Sequence, residues 1–347
     1  MSYHFRNFVF EGGGVKGIAY VGALQALHAN SVMENIHRIG GTSAGAINAV
    51  LLALGYSLDE TYDILSAVNF KNFLDDDWGM IRDAKRLIKK YGIYKGDFFR
   101  DWMGARVAAK TGSERSTFED LKHQGFTDLY LVGTNLSTGY SEVFSWEHTP
   151  KTPVADAVRI SMSIPLFFQA IRNKDDVYVD GGLFNNYPVK LFDRLKYVAK
   201  TDQVRHIRRP DYYEKENKKV DLATNSDFSP YIYNKETLGF RLDSSEEIAV
   251  FRDRQAPPSK DIDGFFDYAS ALLGAIMNVQ NNQHLHGDDW QRTVYINTLE
   301  VKTTDFEIAD DKKRKLINEG ALGVTKYLEW FDRAAPDNLP MNHPDFH

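Results

Sequence analysis

The sequence has three glycine-rich turns, and each comes directly after a short apolar run that is typical of a β-strand. The runs and the turns that follow them are Phe5–Phe10 with Gly12–Gly17, Ile36–Ile39 with Gly40–Gly45, and Val177–Val179 with Asp180–Gly182. Apolar residues at helical spacing follow the first two turns, over Val15–Ala29 and Ala46–Leu54. Strands that alternate with helices predict an α/β fold in which helices cover both faces of a sheet.

Composition excludes several classes of site. The chain has 347 residues, of which 43% are hydrophobic, so a large buried core can form. It has no cysteine, which excludes disulfides, cysteine-ligated metals and a thiol nucleophile. The net charge of -6 argues against a nucleic-acid-binding protein, because such proteins usually have a basic domain.

No segment has the pattern of a membrane-spanning helix, which needs ~18 consecutive apolar residues. The best candidates are Ala44–Leu54, which is too short, and Phe265–Val279, which contains Asp267. The N-terminus shows no cleavable signal peptide. We expect a cytoplasmic protein, either free or peripheral to a membrane, and the sequence leaves secretion without a cleavable signal open. It does not predict an oligomeric state.

The second turn matches the nucleophile-elbow pattern G-x-S-x-G. Gly41 and Gly45 flank Ser43 between a predicted strand and a predicted helix, which is the context that this motif requires. Small neighbours permit a tight turn that presents the serine hydroxyl beside the positive end of the next helix. A glycine-rich turn in which the serine only caps the helix fits the motif equally well.

The first turn has two interpretations. It satisfies the dinucleotide-binding pattern G-x-G-x-x-G, but the acidic residue expected ~20 positions later is replaced by the second glycine turn. Backbone N–H groups at a helix N-terminus can also form an oxyanion hole. Beside a nucleophilic serine we favour the oxyanion hole and keep nucleotide binding as the alternative; the candidate residues are Gly12, Gly13, Gly14, Val15, Lys16 and Gly17. Lys16 either holds a substrate phosphate or is a solvated residue of the helix start.

A nucleophilic serine needs a base, and Asp180 is the favoured candidate. It ends a predicted strand, where α/β sheets bind their ligands, and Gly181 and Gly182 permit close approach. None of the ten histidines follows a late strand as the Ser-Asp-His chain order requires. His284 and His286 are the weaker alternative.

Together the motifs resemble the patatin-like phospholipase family in its bacterial form. The order and spacing of Gly-Gly-Gly-Val-Lys-Gly, Gly-Thr-Ser-Ala-Gly and Asp-Gly-Gly are similar to those of that family. The segment Ser161–Pro165 resembles its S-x-S-x-P stretch. The resemblance covers about residues 5–195, with Asp-Gly-Gly where many relatives have Asp-Gly-Ala.

This resemblance implies a three-layer α/β/α sandwich with a mainly parallel central sheet. It also implies a lipid acyl hydrolase, of the phospholipase A or lysophospholipase type, that acts on phospholipid at a membrane surface without a metal or cofactor. By position, a Ser43–Asp180 dyad would work through an acyl-enzyme, with an oxyanion hole around Gly13, Gly14 and Val15. Burial should raise the pKa of the aspartate, which is otherwise a poor base for a serine hydroxyl. Acyl transfer and an inactive scaffold are further alternatives.

The chain divides into three predicted parts. These are a catalytic core over residues 5–195, a basic and polar insertion or loop region over 196–260, and a helical part over 261–335 that packs on the same domain. Helical patterns in the last part cover Ile262–Asn281 and Asp311–Phe331. Residues 194–219 include nine basic and four acidic side chains. This segment is interpreted either as a mobile, solvated loop or as a contact to an anionic membrane.

Overall fold

The computed structural model describes residues 3–68, 87, 89–220, 228–244, 259, 261–264, 267–268, 271–272, 274–276, 288–303 and 305–333. Its strands are β1 (Asn7–Phe10), β2 (Arg38–Thr42), β3 (Gly92–Tyr94), β4 (Asp128–Asn135), β5 (Tyr140–Phe144), β6 (Leu166–Phe168), β7 (Ile171–Asn173), β8 (Asp176–Asp180), β9 (Ile207–Arg208), β10 (Tyr233–Asn234), β11 (Thr237–Asp243) and β12 (Thr293–Asn297). Its α-helices are α1 (Ala19–Ala29), α2 (Ala44–Ala53), α3 (Leu58–Ser66), α4 (Asp97–Thr111), α5 (Phe118–His123), α6 (Val154–Ser161), α7 (Gly182–Asn185), α8 (Gln203–His206), α9 (Asp211–Lys218) and α10 (Asp310–Arg333). Short 3-10 helices cover Gly14–Ile18, Val189–Phe192, Leu195–Tyr197 and Asp288–Arg292.

A sheet of eight strands forms the centre of the fold, in the order β12-β11-β1-β2-β4-β8-β7, with β5 also paired to β4. Neighbours from β12 to β4 are parallel, whereas β5, β8 and β7 join by antiparallel pairing. The pairs β3–β6 and β9–β10 lie outside this sheet. The predicted α/β fold with a mainly parallel central sheet is confirmed. Within the described residues, no helix combines the length and apolar character needed to cross a bilayer.

Different layers cover the two faces of the sheet. Phe8 and Phe10 belong to the larger apolar core, which also includes residues of α1, α2, α6 and α10. Val9, between them, faces the other way because side chains alternate along a strand. It packs with Phe192 and Tyr197, which lie on the short 3-10 helices. The long helices therefore cover one face of the sheet, and the short 3-10 helices cover the other.

Helices α1 and α10 approach each other to backbone contact. A Cβ atom at Gly22 would lie 1.8 Å from the carbonyl oxygen of Ile317, and one at Gly320 would lie 1.9 Å from that of Ala19. No side chain fits at either position, so glycine is required at this crossing. Helix α10 corresponds to the predicted helix over 311–331, whereas half of the residues of the one predicted over 262–281 lie outside the described residues.

Two strands of the sheet come from parts of the sequence for which no strand is predicted. All seven residues of β11 are buried, and the strand pairs with β1 on one side and β12 on the other. Leu238, Phe240 and Leu242 alternate along it, which is the sequence signal that identifies such a strand. The segments 196–260 and 261–335 thus each contribute a strand to the sheet that bears the catalytic turns.

Residues 194–219 form short helices and one strand, so they are not a loop without secondary structure. They include a 3-10 helix, α8, β9 and α9. Tyr213 of α9 is 8% exposed, and its hydroxyl donates to Asp193 Oδ2 at 2.5 Å. The guanidinium of Arg194 lies 3.4 Å from the ring centroid of Tyr231. Interleaved aromatic residues give this basic segment a buried face, and its contact with a membrane stays a prediction.

A buried ion network ties the layer of short helices to the start of β12. Arg292 is 2% exposed and donates from Nη1 to Asp193 Oδ1 and from Nη2 to Asp289 Oδ1, both at 2.6 Å. Both carboxylates are also buried. A buried arginine is tolerated only when its charge is paired in this way.

Replacing Arg292 with alanine removes the guanidinium that pairs with two buried carboxylates. We expect the free energy of unfolding, measured by urea titration, to fall by ~3–5 kcal/mol. The matched control is Lys219→Ala, which removes an exposed ion pair with Glu216 and should change stability little. Equal losses in the two variants would contradict this account of the network.

Candidate active site

Ser43 lies at a strained turn between β2 and α2. Its backbone has φ 52° and ψ -124°, which non-glycine residues rarely adopt. A Cβ at Gly41 would lie 2.4 Å from the carbonyl oxygen of Gly45, and one at Gly45 would lie 2.4 Å from that of Phe10. Both glycines are therefore needed for the turn. Helix α2 begins at the next residue, so its positive end lies beside the serine.

The hydroxyl of Ser43 donates a hydrogen bond to Asp180 Oδ2 at 2.8 Å. Each residue is only 5% exposed. Asp180 Oδ1 accepts from the Gly182 N–H at 2.7 Å, and a Cβ at Gly181 would lie 2.3 Å from the carbonyl oxygen of Val132. Burial raises the pKa of Asp180 to about 7, against the lowering effect of its two hydrogen bonds. A carboxylate with a pKa near neutrality is well suited to accept a proton from a hydroxyl.

The register of the sheet explains why these two side chains meet. Strand β2 pairs Thr42 with Val132 of β4, and the antiparallel β8 pairs Asp180 with Gly133 of β4. Ser43 and Gly133 each follow a paired residue by one position, so β4 brings Ser43 level with Asp180. In the sequence analysis Asp180 is a candidate because α/β sheets bind their ligands at the ends of parallel strands, but β8 is antiparallel to β4. The aspartate reaches the serine because β4 extends past the end of β2.

Residues 161–163, at the end of α6, contact both Ser43 and Asp180. Ser161 Oγ accepts from the Ser43 N–H at 2.9 Å and donates to a carbonyl of β4. The Ser163 carbonyl accepts from the Asp180 N–H at 2.9 Å. Met162 Sδ lies 3.5 Å from Ser43 Oγ. Sequence analysis notes the S-x-S-x-P stretch that contains these residues but assigns them no role, although the two serines that flank Met162 at a helix end are a visible signal.

The first glycine turn lies directly against the serine. A Cβ at Gly12 would lie 3.0 Å from Ser43 Cβ. Gly14 has φ +56°, and a Cβ there would lie 2.0 Å from the carbonyl oxygen of Thr303. Any larger residue at position 14 would therefore clash with the backbone of Thr303 and strain the turn.

The N–H groups of this turn divide into two sets. Three are engaged: those of Gly12, Val15 and Lys16 donate to the carbonyls of Asn186, Thr303 and Gly13, at 3.0, 3.3 and 3.2 Å. In the part of the chain that the structure describes, the N–H groups of Gly13 and Gly14 donate to no acceptor. Free donors are expected at the start of a helical turn. These two are therefore the donors available to an oxyanion.

The last two residues of the turn have neighbours within the protein. Burial raises the pKa of Glu11, which lies behind the turn, to about 8, and the charge of Lys16 opposes this rise only weakly. A Cβ at Gly17 would lie 2.9 Å from Ala44 Cβ, so this glycine lets the turn pack on α2.

No histidine of the described ranges hydrogen-bonds to Ser43, and His284 and His286 lie outside those ranges. One serine–histidine contact lies elsewhere: Ser145 Oγ is 2.7 Å from His148 Nδ1. The two residues are three positions apart, and the His148 N–H also donates to the same hydroxyl. This contact is a local turn after β5.

One carboxylate–histidine cluster among the described residues has the spacing of a metal site. Ligand atoms of Asp202, His206 and Glu236 lie within 4.8 Å of one another. Arg6 already pairs with both carboxylates, at 3.6 and 3.8 Å. The cluster lies where β1 and β11 begin, at the sheet edge opposite Ser43. An ion-pair network accounts for it.

A small pocket with a mainly apolar lining lies beside the turn that carries Ser43. Its lining includes Val15, Ile47, Phe99, Met162 and Phe168, together with the side chain of Arg159. Met162 connects it to the turn, because Met162 Sδ lies 3.5 Å from Ser43 Oγ.

The chain is similar to several known proteins. The family model for the patatin-like phospholipase matches residues 8–193, more than half of the chain. The uncharacterized protein YqhO of Bacillus subtilis is 28% identical over 335 residues, which cover 92% of this chain and 97% of that protein. The probable lipid hydrolase 463L of Invertebrate iridescent virus 6 is 25% identical over 206 residues, which cover 58% of this chain and 67% of that protein.

The crystal structure of VipD from Legionella pneumophila is similar in fold. The match has a TM-score of 0.56 and 17% sequence identity, and it covers 94% of this chain and 67% of that one. Fold, motif order and family match agree with one another. This chain belongs to the patatin-like phospholipase family.

Proposed function

We propose that this protein is a lipid acyl hydrolase that cleaves carboxylic esters of glycerophospholipids, as a phospholipase A or lysophospholipase. Ser43 is the nucleophile and Asp180 is the base. The proposal rests on the 2.8 Å hydrogen bond between these two buried side chains. Family membership supports a lipid ester as the substrate, and a relative named as a probable lipid hydrolase supports the same reaction.

In the first half of the reaction, Ser43 Oγ attacks the ester carbonyl carbon and its proton moves to Asp180 Oδ2. The carbonyl oxygen becomes an oxyanion, to which Gly13 and Gly14 donate their free N–H groups. The bond to the alcohol then breaks, and the leaving oxygen takes the proton from Asp180. An acyl group remains on Ser43.

In the second half, water attacks the acyl-enzyme. Asp180 accepts a proton from the water as the new bond forms, and the same N–H groups stabilise the second oxyanion. The bond between the acyl carbon and Ser43 Oγ breaks, and the serine regains its proton from Asp180. The products are a fatty acid and a lysophospholipid or glycerophospho alcohol.

One feature of the site favours a lipid as the substrate: the turn that carries Ser43 borders a small pocket with a mainly apolar lining. Nucleotide binding at the first glycine turn has no comparable support, because three of its N–H groups already donate within the protein.

The nucleophile can be tested by covalent labelling. A fluorophosphonate probe should label Ser43 alone, because among the described residues this hydroxyl is the one that lies beside both a carboxylate base and free N–H donors. Ser43→Ala should abolish labelling and phospholipid hydrolysis. Mass spectrometry locates the labelled peptide, and release of fatty acid measures turnover.

The matched control is Ser145→Ala, which removes the serine of the Ser145–His148 contact. This variant should keep both labelling and turnover. Turnover that persists in Ser43→Ala and disappears in Ser145→Ala would overturn the proposal.

The base can be tested by a pH profile. Asp180 acts in its deprotonated form, so kcat/KM for a neutral soluble ester should rise with pH and level off above about 7, where burial has moved the pKa of Asp180. Asp180→Asn should lower kcat by at least ~100-fold and remove this inflection. Asp176→Asn, on the same strand, is the control and should keep both rate and profile. An unchanged inflection in Asp180→Asn would assign the base elsewhere.

A further inference from the structure

Asn186 encloses the first residue of the glycine turn. It follows α7 and is 3% exposed. Its backbone carbonyl accepts from the Gly12 N–H at 3.0 Å, and its side-chain Nδ2 donates to the Gly12 carbonyl at 3.2 Å. The same Nδ2 donates to Glu11 Oε1 at 3.0 Å. One residue thus binds both polar groups of Gly12.

The orientation of the Asn186 amide follows from its partners. Two acceptors face Nδ2, so Oδ1 must lie on the other side. The position of a Cβ on Gly12 would be 2.4 Å from Asn186 Oδ1 and 3.0 Å from Ser43 Cβ. Gly12 is therefore packed between this amide and the nucleophile. A shift of Asn186 would shift the turn relative to Ser43.

One atom of the Asn186 amide has no hydrogen-bond partner among the described residues. Asn186 Oδ1 is buried and accepts no hydrogen bond from the described residues. An unsatisfied buried acceptor destabilises a fold and calls for an explanation. Holding the glycine turn in place supplies one.

Glu11 anchors the other side of the amide to the sheet. Its side chain is buried, and Oε2 accepts from the Leu242 N–H of β11 at 2.7 Å. A chain of hydrogen bonds therefore runs from β11 through the Glu11 carboxyl group and the Asn186 amide to Gly12. Strand β11 is part of the central sheet and holds Glu11 in place.

Helix α7 extends the connection to the base. The N–H of its first residue, Gly182, donates to Asp180 Oδ1 at 2.7 Å, and Asn186 follows its last residue. The base and the glycine turn are thus held by the two ends of one short helix. Their separation is set by the length of that helix.

We infer that Asn186 is a positioning residue that, together with Glu11, holds the Gly12–Gly14 turn so that the N–H groups of Gly13 and Gly14 face the oxyanion formed at Ser43. This inference rests on the proposed function. Asn186 touches neither the nucleophile's hydroxyl nor the base, and it acts through the Gly12 peptide.

Asn186→Ala tests the inference by removing both donors of the amide while keeping the backbone carbonyl. We expect kcat for a short soluble aryl ester to fall ~10–100-fold, with KM changed less than about twofold. The Ki of an alkyl trifluoromethyl ketone should rise by a similar factor, because its adduct with Ser43 has an oxyanion.

Asn234→Ala is the matched control, since Asn234 is fully buried and its Nδ2 donates to the carbonyl of Phe192 at 2.9 Å. This variant should lower the melting temperature as much as Asn186→Ala and leave kcat and Ki unchanged. Equal kcat and Ki in wild type and Asn186→Ala would overturn the inference. Absence of turnover and of Ser43 labelling in the wild type would instead overturn the proposed function.

A second pair of variants keeps the size of the amide and covers the case in which alanine prevents folding. Asn186→Asp replaces the donor Nδ2 by an acceptor, so the contacts to Glu11 Oε1 and to the Gly12 carbonyl are lost and kcat should fall at least as much as with alanine. Adding Glu11→Gln supplies an amide that donates to the new carboxyl group, so kcat should recover at least ~10-fold. No recovery in the double variant would contradict the positioning role.

Discussion

The hydrogen bond between Ser43 Oγ and Asp180 Oδ2 joins side chains that are 137 positions apart in the chain. It forms because β4 continues past the end of β2 and offers Gly133 as a partner to the antiparallel β8. A Cβ at Gly133 would lie 2.8 Å from Ile160 Cγ2, so α6 packs closely at this level of the sheet. One antiparallel strand in a mainly parallel sheet thus brings the base to the nucleophile.

In the proposed mechanism, a buried carboxylate takes the role that a histidine has in other serine hydrolases. In water an aspartate is a weak base, with a pKa of ~3.9. Burial raises the pKa of Asp180 to about 7, which brings its proton affinity close to that of an imidazole. The free N–H groups of Gly13 and Gly14 would complement this base by stabilising the negative charge that develops on the substrate. We propose that base and oxyanion donors are coupled, because α7 and Asn186 hold both.

The local patterns of the sequence predict the turns of the site, but not what holds them. Gly41, Ser43 and Gly45 form a pattern that a single segment contains, so the elbow can be predicted without the fold. The Val15 N–H belongs to the predicted oxyanion hole, yet it donates to Thr303, almost 300 positions away. No local pattern shows which N–H groups are occupied by distant carbonyls.

Direct detection of the acyl-enzyme tests the central claim, that Ser43 and Asp180 form a catalytic dyad. Wild-type protein would be mixed with a slowly hydrolysed aryl ester, quenched in acid within milliseconds, digested and analysed by mass spectrometry. The account predicts an acyl group on the peptide that contains Ser43, with far less of it formed by Asp180→Asn under the same conditions. Turnover with no acyl group on Ser43, or equal acylation of Asp180→Asn, would contradict it.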